Sequence, residues 1–444
     1  MKDLTQGNIY KNFILFAIPL VFAGILSQGY HIIDTVIAGK YLGDSGLAAT
    51  GATAEFITFA SSILWGYSGG LGIYTARLFG AKDYKTLKTA IYNNLIFVIL
   101  IATVIGMISI VFGDVILDLL KVDSAVHENT KVYMTVYFVG FAFILLNTTF
   151  VHILNSLGIS AYTFTMSLVS AVMNIAGNIF TVTVLDMGVA GIALSSVISA
   201  AVVDMLYMIK LKKSFKEMSV NKYRVKYGFL TLKNSFVYSV TVMIQQTVMY
   251  TSSLLISPIV NGIGMAATAS FTVINRVYNI NAGIYQNSAK TVGNYIAQSV
   301  GAKKPENIKK GVRVGALQGF ILMMPVILAC IIFAKPVSSV FFPSGFEGDA
   351  LTYSVDFIKI CLPFLFFNML NNLFHHFFRG TGCMRLLLLS TFIGSASRLI
   401  FTVILANKYG MNGFFAGWIL SWITEALFSL IVYKSGVWKR EMLS

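Results

Sequence analysis

The sequence predicts an all-α polytopic membrane protein, with twelve transmembrane helices in two pseudo-symmetric six-helix lobes. Three observations predict it. Of 444 residues, 56% are hydrophobic and 11% charged, with mean hydropathy +0.76. A soluble domain carries roughly 25% charged residues, so most of this surface must face lipid. Apolar runs of about 20 residues, enough to cross a bilayer, recur from end to end. Finally, the two halves of the chain repeat each other at a nearly constant offset.

The apolar runs place helices near 11–37, 47–75, 90–112, 131–155, 162–185, 188–210, 234–258, 266–298, 314–334, 352–378, 386–406 and 412–433. The first run is long and no small-residue cleavage site follows it, so it reads as a membrane helix rather than a signal peptide. The 37 glycines and 18 methionines suit closely packed, adaptable membrane helices. Cys330, Cys361 and Cys383 lie in or beside apolar stretches, with neither metal-ligand spacing nor the pattern of a disulfide framework.

The net charge of +15 is distributed by side. Connections on one side carry 24 basic residues, including Lys82, Lys85, Lys88, Lys212, Lys213 and Lys303. The other side carries five (Lys40, Lys121, Lys131, Lys335, Lys408) beside acids such as Asp114 and Glu347. The positive-inside rule puts both termini in the cytoplasm of a multi-pass plasma-membrane protein, the inner membrane if the cell is Gram-negative. The basic excess then orients the chain and touches anionic headgroups of the lipid bilayer. No nucleic-acid partner is expected.

Gly46-Leu-Ala-Ala-Thr50 returns as Gly264-Met-Ala-Ala-Thr268, and Gly80-Ala-Lys82 as Gly301-Ala-Lys303. Ile179-Phe-Thr-Val182 matches Ile400-Phe-Thr-Val403, and Gly188-x-x-Gly191 pairs with Gly410-x-x-Gly413. The offsets run from 218 to 222. The expected domains are an N-terminal lobe (1–211), a basic cytoplasmic linker (212–232) and a C-terminal lobe (233–444). Six crossings per half leave the halves parallel, a transporter architecture whose substrate site lies between the halves near the midplane.

Polar residues inside the bilayer are costly and therefore functional candidates. The first helix carries Pro19, which removes a backbone hydrogen bond and permits a kink, and Asp34 fifteen residues later. Burial disfavours the charged form of such an acid, which suits a group that takes up and releases a proton. The fifth helix carries Asn174 and Asn178, four apart and so on one face, around Gly177. Two amide oxygens, a carboxylate and a hydroxyl from Ser195 or Ser196 are hard ligands for a small cation or a proton-linked network. Asp204 and Glu425 lie one to two turns from a cytoplasmic helix end, within reach of water or a lysine; Glu55 is nearer the outer end of its helix. In the second half, Gln245, Gln246, Asn275, Arg276, Asn279, Asn368, Asn371, Asn372 and Arg398 would be costly facing lipid. They are expected to line a cavity or pack between helices, with Tyr30 and Met249 as further cavity walls. His375 and His376 are adjacent, so a helix points them apart, unlike an i,i+4 metal pair. Neither a phosphate-cradling glycine loop nor a Gly-x-Ser-x-Gly elbow is present, so an ATP-driven pump and an enzyme are not expected.

These residues resemble the multidrug and toxic compound extrusion (MATE) transporters along essentially the whole chain. The likeness rests on Ile18-Pro19-Leu20, Ile33-Asp34-Thr35 followed by Gly39 and Gly43, Phe79-Gly80-Ala81, Asn155-Ser156-Leu157-Gly158 and Asn174-x-x-Gly177-Asn178. The resemblance implies a V-shaped pair of lobes exporting small amphipathic or cationic organic compounds in exchange for inward H⁺ or Na⁺, with no other cofactor and as a monomer. It implies Asp34 as the coupling acid, with Asn174, Asn178 and Ser196 as partners. Where one branch of the family has a second acid on the fifth helix, this chain has Asn178. Where another has acids on helices seven and ten, it has Gln245, Gln246 and asparagines. The likeness therefore leans to the DinF-like branch. The alternative is a lipid-linked saccharide flippase of the same superfamily, which would use basic residues such as Arg276 and Arg398.

Overall fold

The computed structural model describes residues 1–343 and 345–443, except for the side chains of 27–32, 55, 229–231 and 443. Tyr30 and Glu55 therefore lie outside the described side chains. Among the described residues the chain is helical throughout: α1 (Ile9–Gly80), α2 (Tyr84–Val111), α3 (Gly113–Leu119), α4 (His127–Val139), α5 (Phe141–Ser156), α6 (Ser160–Thr183), α7 (Gly188–Glu217), α8 (Phe229–Ile263), α9 (Met265–Gly301), α10 (Glu306–Ile332), α11 (Ala334–Ser339), α12 (Asp349–Cys361), α13 (Leu365–Thr381), α14 (Met384–Ser435) and α15 (Val437–Leu443).

Among the described residues, twelve helical segments of membrane-spanning length emerge once the breaks are recognised. Helix α1 is two arms meeting at Gly43, whose φ of 66° lies in the left-handed region that favours glycine. Helix α14 divides the same way at Gly410, φ 57°. The expected first loop, 38–46, is thus a single-residue break and not a loop. The fourth span is the pair α4 and α5, bent by 51° about Gly140. The tenth is α12 and α13 joined through a 3₁₀ turn, Leu362–Phe364, that contains Pro363. Helix α7 runs on to Glu217, seven residues beyond the expected end of the sixth span.

The internal repeat is visible in backbone geometry. Lys82 and Lys303, from the two Gly-Ala-Lys matches, both have φ 57°. Gly188 and Gly410, from the Gly-x-x-Gly matches, have φ 55° and 57°. A left-handed lysine is unfavourable by roughly 1–2 kcal/mol. The same unfavourable conformation at both matched positions marks one architecture used twice.

Packing divides the chain into two compact units that do not coincide with the sequence halves. One contains residues 1–3 and 22–243, the other 4–21 and 244–444. In the second unit, Leu4 N donates to Gln298 Oε1 (2.9 Å) and the Phe13 ring meets Tyr295 edge-on at 5.1 Å. In the first, the start of α8 is held by Arg77 Nη1 donating to Tyr238 Oη (2.6 Å) and Asn94 Nδ2 donating to Ser235 Oγ (3.0 Å). Gly66 and Gly70 let α8 come close. A Cβ on Gly70 would sit 2.4 Å from the Tyr238 carbonyl oxygen, where neither backbone can yield. Gly70→Val should therefore destabilise the protein by about 1–3 kcal/mol. Thermal unfolding in detergent micelles would register this as a lowered Tm.

Helix α1 continues through Pro19 without a break in its helical dihedrals. The residue that removes a hydrogen bond from the Leu15 carbonyl thus weakens the helix without interrupting it. The changeover between the packing units falls two residues later, at 21/22.

Candidate functional site

Helices α6 and α7 build the site because small residues let them touch. A Cβ on Gly177 would meet Ser195 Oγ at 3.0 Å, and one on Gly191 would meet Thr181 Oγ1 at 2.6 Å. Such close approach is how membrane helices associate without a hydrophobic drive between them. Thr181 and Ser195 hydroxyls pair at 3.2 Å, and Ser195 Oγ donates to the Gly191 carbonyl at 2.8 Å. Ser195 is thereby used in the helix seam.

Ser196 faces the other way and completes a chain of side chains. Asn178 Nδ2 donates to Asp34 Oδ1 (2.5 Å) and to Asn174 Oδ1 (3.3 Å). Asn174 Nδ2 donates in turn to Ser196 Oγ (2.9 Å). Asn174 and Asn178 are buried, and Asp34 is half-buried. The i,i+4 spacing of the two asparagines aligns them so that one line of hydrogen bonds crosses three helices. Asn178 Oδ1 is buried and accepts no hydrogen bond among the described residues. An orphan acceptor beside a carboxylate is unfavourable unless a proton donor or a cation uses it. The group as a whole offers hard oxygens from a carboxylate, two amides and a hydroxyl, which fits Na⁺ or a proton.

An apolar layer caps this cluster on one side. Ala38, Val182 and Ile192 form a buried group with Leu42 and Tyr133 packed against it. They stand one turn after Asp34, one turn after Asn178 and one turn before Ser196. Since α7 runs antiparallel to α6, those steps all lead to the same side.

The other expected site residues fall differently. Gln245 is fully buried, and its Oε1 accepts from Arg379 Nε (3.0 Å) and Nη2 (2.5 Å). Asn368 Oδ1 accepts from Tyr285 Oη (2.8 Å) and Asn372 Nδ2 (3.1 Å). Asn371 Nδ2 donates to the Trp422 carbonyl (3.1 Å). These three residues serve hydrogen bonding within the second unit. Gln246, Met249 and Asn275 are half-buried, while Arg276 and Asn279 are exposed. Arg398 has its guanidinium 4.5 Å over the Trp418 ring and donates to Ser253 Oγ at 3.2 Å.

Two acids depart from expectation. Asp204 is buried in the first unit, 5% exposed; Asn147 is its polar neighbour, outside hydrogen-bonding geometry. Glu425 pairs with His375, a residue fifty positions away, and among the described residues forms no ion pair with a lysine. No group of three His, Cys, Asp or Glu that could hold a metal occurs among the described residues.

The family model for MatE matches residues 19–180 and 241–404, one match in each half. The chain is 25% identical over 352 residues to the probable multidrug resistance protein YoeA of Bacillus subtilis, covering 76% of this chain and 74% of that one. It is 23% identical over 444 residues to the probable multidrug resistance protein YpnP of the same organism, covering 98% and 97%. Its fold is similar to that of a mutant of the Vibrio cholerae MATE transporter VcmN, with TM-score 0.90, 16% identity and 98% of each chain covered.

Proposed function

The chain belongs to the MatE family of transporters, and we propose that it exports small organic, often cationic, compounds against an inward flow of H⁺ or Na⁺. The relatives named as multidrug resistance proteins support the export of organic compounds. The coupling ion is taken at Asp34. The observation that carries this assignment is the hydrogen-bonded line Asp34–Asn178–Asn174–Ser196, with an orphan acceptor on Asn178 beside the carboxylate.

Ion binding neutralises a half-buried charge and gives Asn178 Oδ1 a partner. That changes which arrangement of α1 against α6 and α7 is favoured, and a ligand shifts an equilibrium only by such differential interaction. Helix α1 is suited to respond, because Pro19 has already removed one of its hydrogen bonds. Substrate leaves outward as the helix repacks; loss of the ion inside resets the cycle. The basic excess on the connections of one side supports cytoplasmic termini in the plasma membrane. Asn178 in place of a second acid, and amides on the seventh and tenth spans, support the DinF-like branch. The flippase reading draws less support, since Arg398 is engaged by Trp418 and Ser253.

The test is transport of a cationic dye, ethidium, by protein reconstituted in vesicles, with pH and Na⁺ gradients imposed separately. One of the two gradients should drive dye against its own gradient. No driven movement under either gradient, with folded protein, would refute antiport.

A further inference from the structure

The second unit holds a buried acid–base pair that the Asp34 mechanism does not use. His375 Nε2 lies 2.8 Å from Glu425 Oε1, and their side chains are only 6% and 12% exposed. His375 comes from α13 and Glu425 from the second arm of α14. The first arm of α14 closes the site. Ser390 Oγ donates to Glu425 Oε1 at 3.4 Å and shares a hydrogen bond with Ser429 Oγ at 2.9 Å. Gly394 provides the room: a Cβ there would lie 2.4 Å from Glu425 Oε2, so the carboxylate fills the volume a side chain would take. One turn along, Asn371 Nδ2 on the Trp422 carbonyl fixes α13 to the same arm.

The charged and titratable groups facing the pair come from two further places. Arg398, on the first arm of α14, and Tyr278, on α9, both interact electrostatically with Glu425. With one proton between them, imidazole and carboxylate are neutral overall, as imidazolium–carboxylate or as imidazole–carboxylic acid. Without it, the pair carries one negative charge, and Arg398 is the cation placed to balance that charge. Imidazole is the side chain that exchanges protons in the physiological range, and a buried ion pair by itself is weak evidence of a stabilising role.

We propose that His375 and Glu425 form a second proton-binding site, holding one exchangeable proton between Nε2 and Oε1. Because the site joins α13 to both arms of α14, gain or loss of the proton changes the net charge held between three membrane segments. Its use in coupling rests on the antiporter reading; its existence as a proton site does not.

The experiment counts protons bound by the purified full-length protein in weakly buffered detergent solution. The solution is stepped from about pH 8 to about pH 5.5 with a pH-indicator dye, a range chosen to span imidazole titration. His375→Gln and Glu425→Gln should each bind one proton fewer per molecule than the parent. The double variant should also bind one fewer, because the pair shares a single proton. An unchanged count in either single variant overturns the proposal, as does a deficit of two in the double. Where the Gln variants do not fold, a protein carrying His31→Gln, His127→Gln, His152→Gln and His376→Gln leaves His375 as its one ring-labelled histidine. Its NMR signal must move across the same pH range, and a flat response is equally fatal. Failure of the Asp34 reading is separately visible, since Asp34→Asn would then leave both dye transport and its own proton count unchanged.

Discussion

Asp34→Asn is expected to reduce ion-driven efflux of ethidium to the level of cells lacking the protein, with expression and Tm close to the parent's. The substitution keeps the side chain's volume and an oxygen to accept from Asn178 Nδ2. What it removes is the ability to bind a proton or to offer a full negative charge to Na⁺. The surrounding fold has little reason to change, because the apolar layer of Ala38, Val182 and Ile192 packs independently of that charge. A loss of at least about 100-fold in driven efflux is expected, ~2.7 kcal/mol at 1.36 kcal/mol per decade. Dye accumulation in intact cells and thermal unfolding of the purified protein together check it. A protein that no longer folds would instead make Asp34 a structural residue.

Asn178→Leu should produce the second-largest effect. Leucine fits the volume but withdraws the amide that donates both to Asp34 Oδ1 and to Asn174 Oδ1. A hydrogen bond to a charged group is worth roughly 1.5–3 kcal/mol, so ion-driven efflux should fall roughly 10–100-fold. Ser196 stands at the far end of the line, accepting from Asn174 Nδ2 while its own hydroxyl donates to the Ile192 carbonyl (3.2 Å). Ser196→Ala should cost less than Asn178→Leu, and Ser196→Thr, which keeps the hydroxyl, should be nearly silent. Initial efflux rates at one imposed gradient rank the three variants. A reversed order would mean that the hydrogen-bonded line does not transmit the ion's effect.

Much of this architecture was legible because glycine and charge speak locally. The repeated Gly-Ala-Lys and Gly-x-x-Gly elements adopt matching left-handed backbone at Lys82 and Lys303 and at Gly188 and Gly410. Asn174 and Asn178 were readable as one face by their spacing alone, and the structure joins Asp34 to that face. Spacing alone left Ser195 and Ser196 open, since both are hydroxyls on the same turn, and it was the family resemblance that pointed to Ser196. In the structure Gly177 and Gly191 draw Ser195 into the helix seam, while Ser196 Oγ accepts from Asn174 Nδ2.

What escaped depends on partners distant in sequence. An apolar helix does not announce which neighbours it packs on. Residues 4–21 accordingly belong to the second packing unit, and the start of α8, up to Met243, to the first. Gln245, costly facing lipid, could line a cavity or pack between helices; its partner Arg379 lies 134 residues away, where spacing says nothing of it. The adjacency of His375 and His376 says nothing of Glu425, which partners His375 from another span. The unexpected burial of Asp204 has the same origin, for α7 runs deeper among its neighbours than its proximity to a basic helix end suggested.

The most direct test of the central claim is substrate-triggered ion movement in sealed proteoliposomes. Ethidium is added to one side with no ion gradient imposed, and H⁺ and Na⁺ are followed by internal fluorescent indicators. The parent protein should move one of these ions in the direction opposite to the dye, and Asp34→Asn should move neither. An undiminished ion signal from Asp34→Asn would contradict the account.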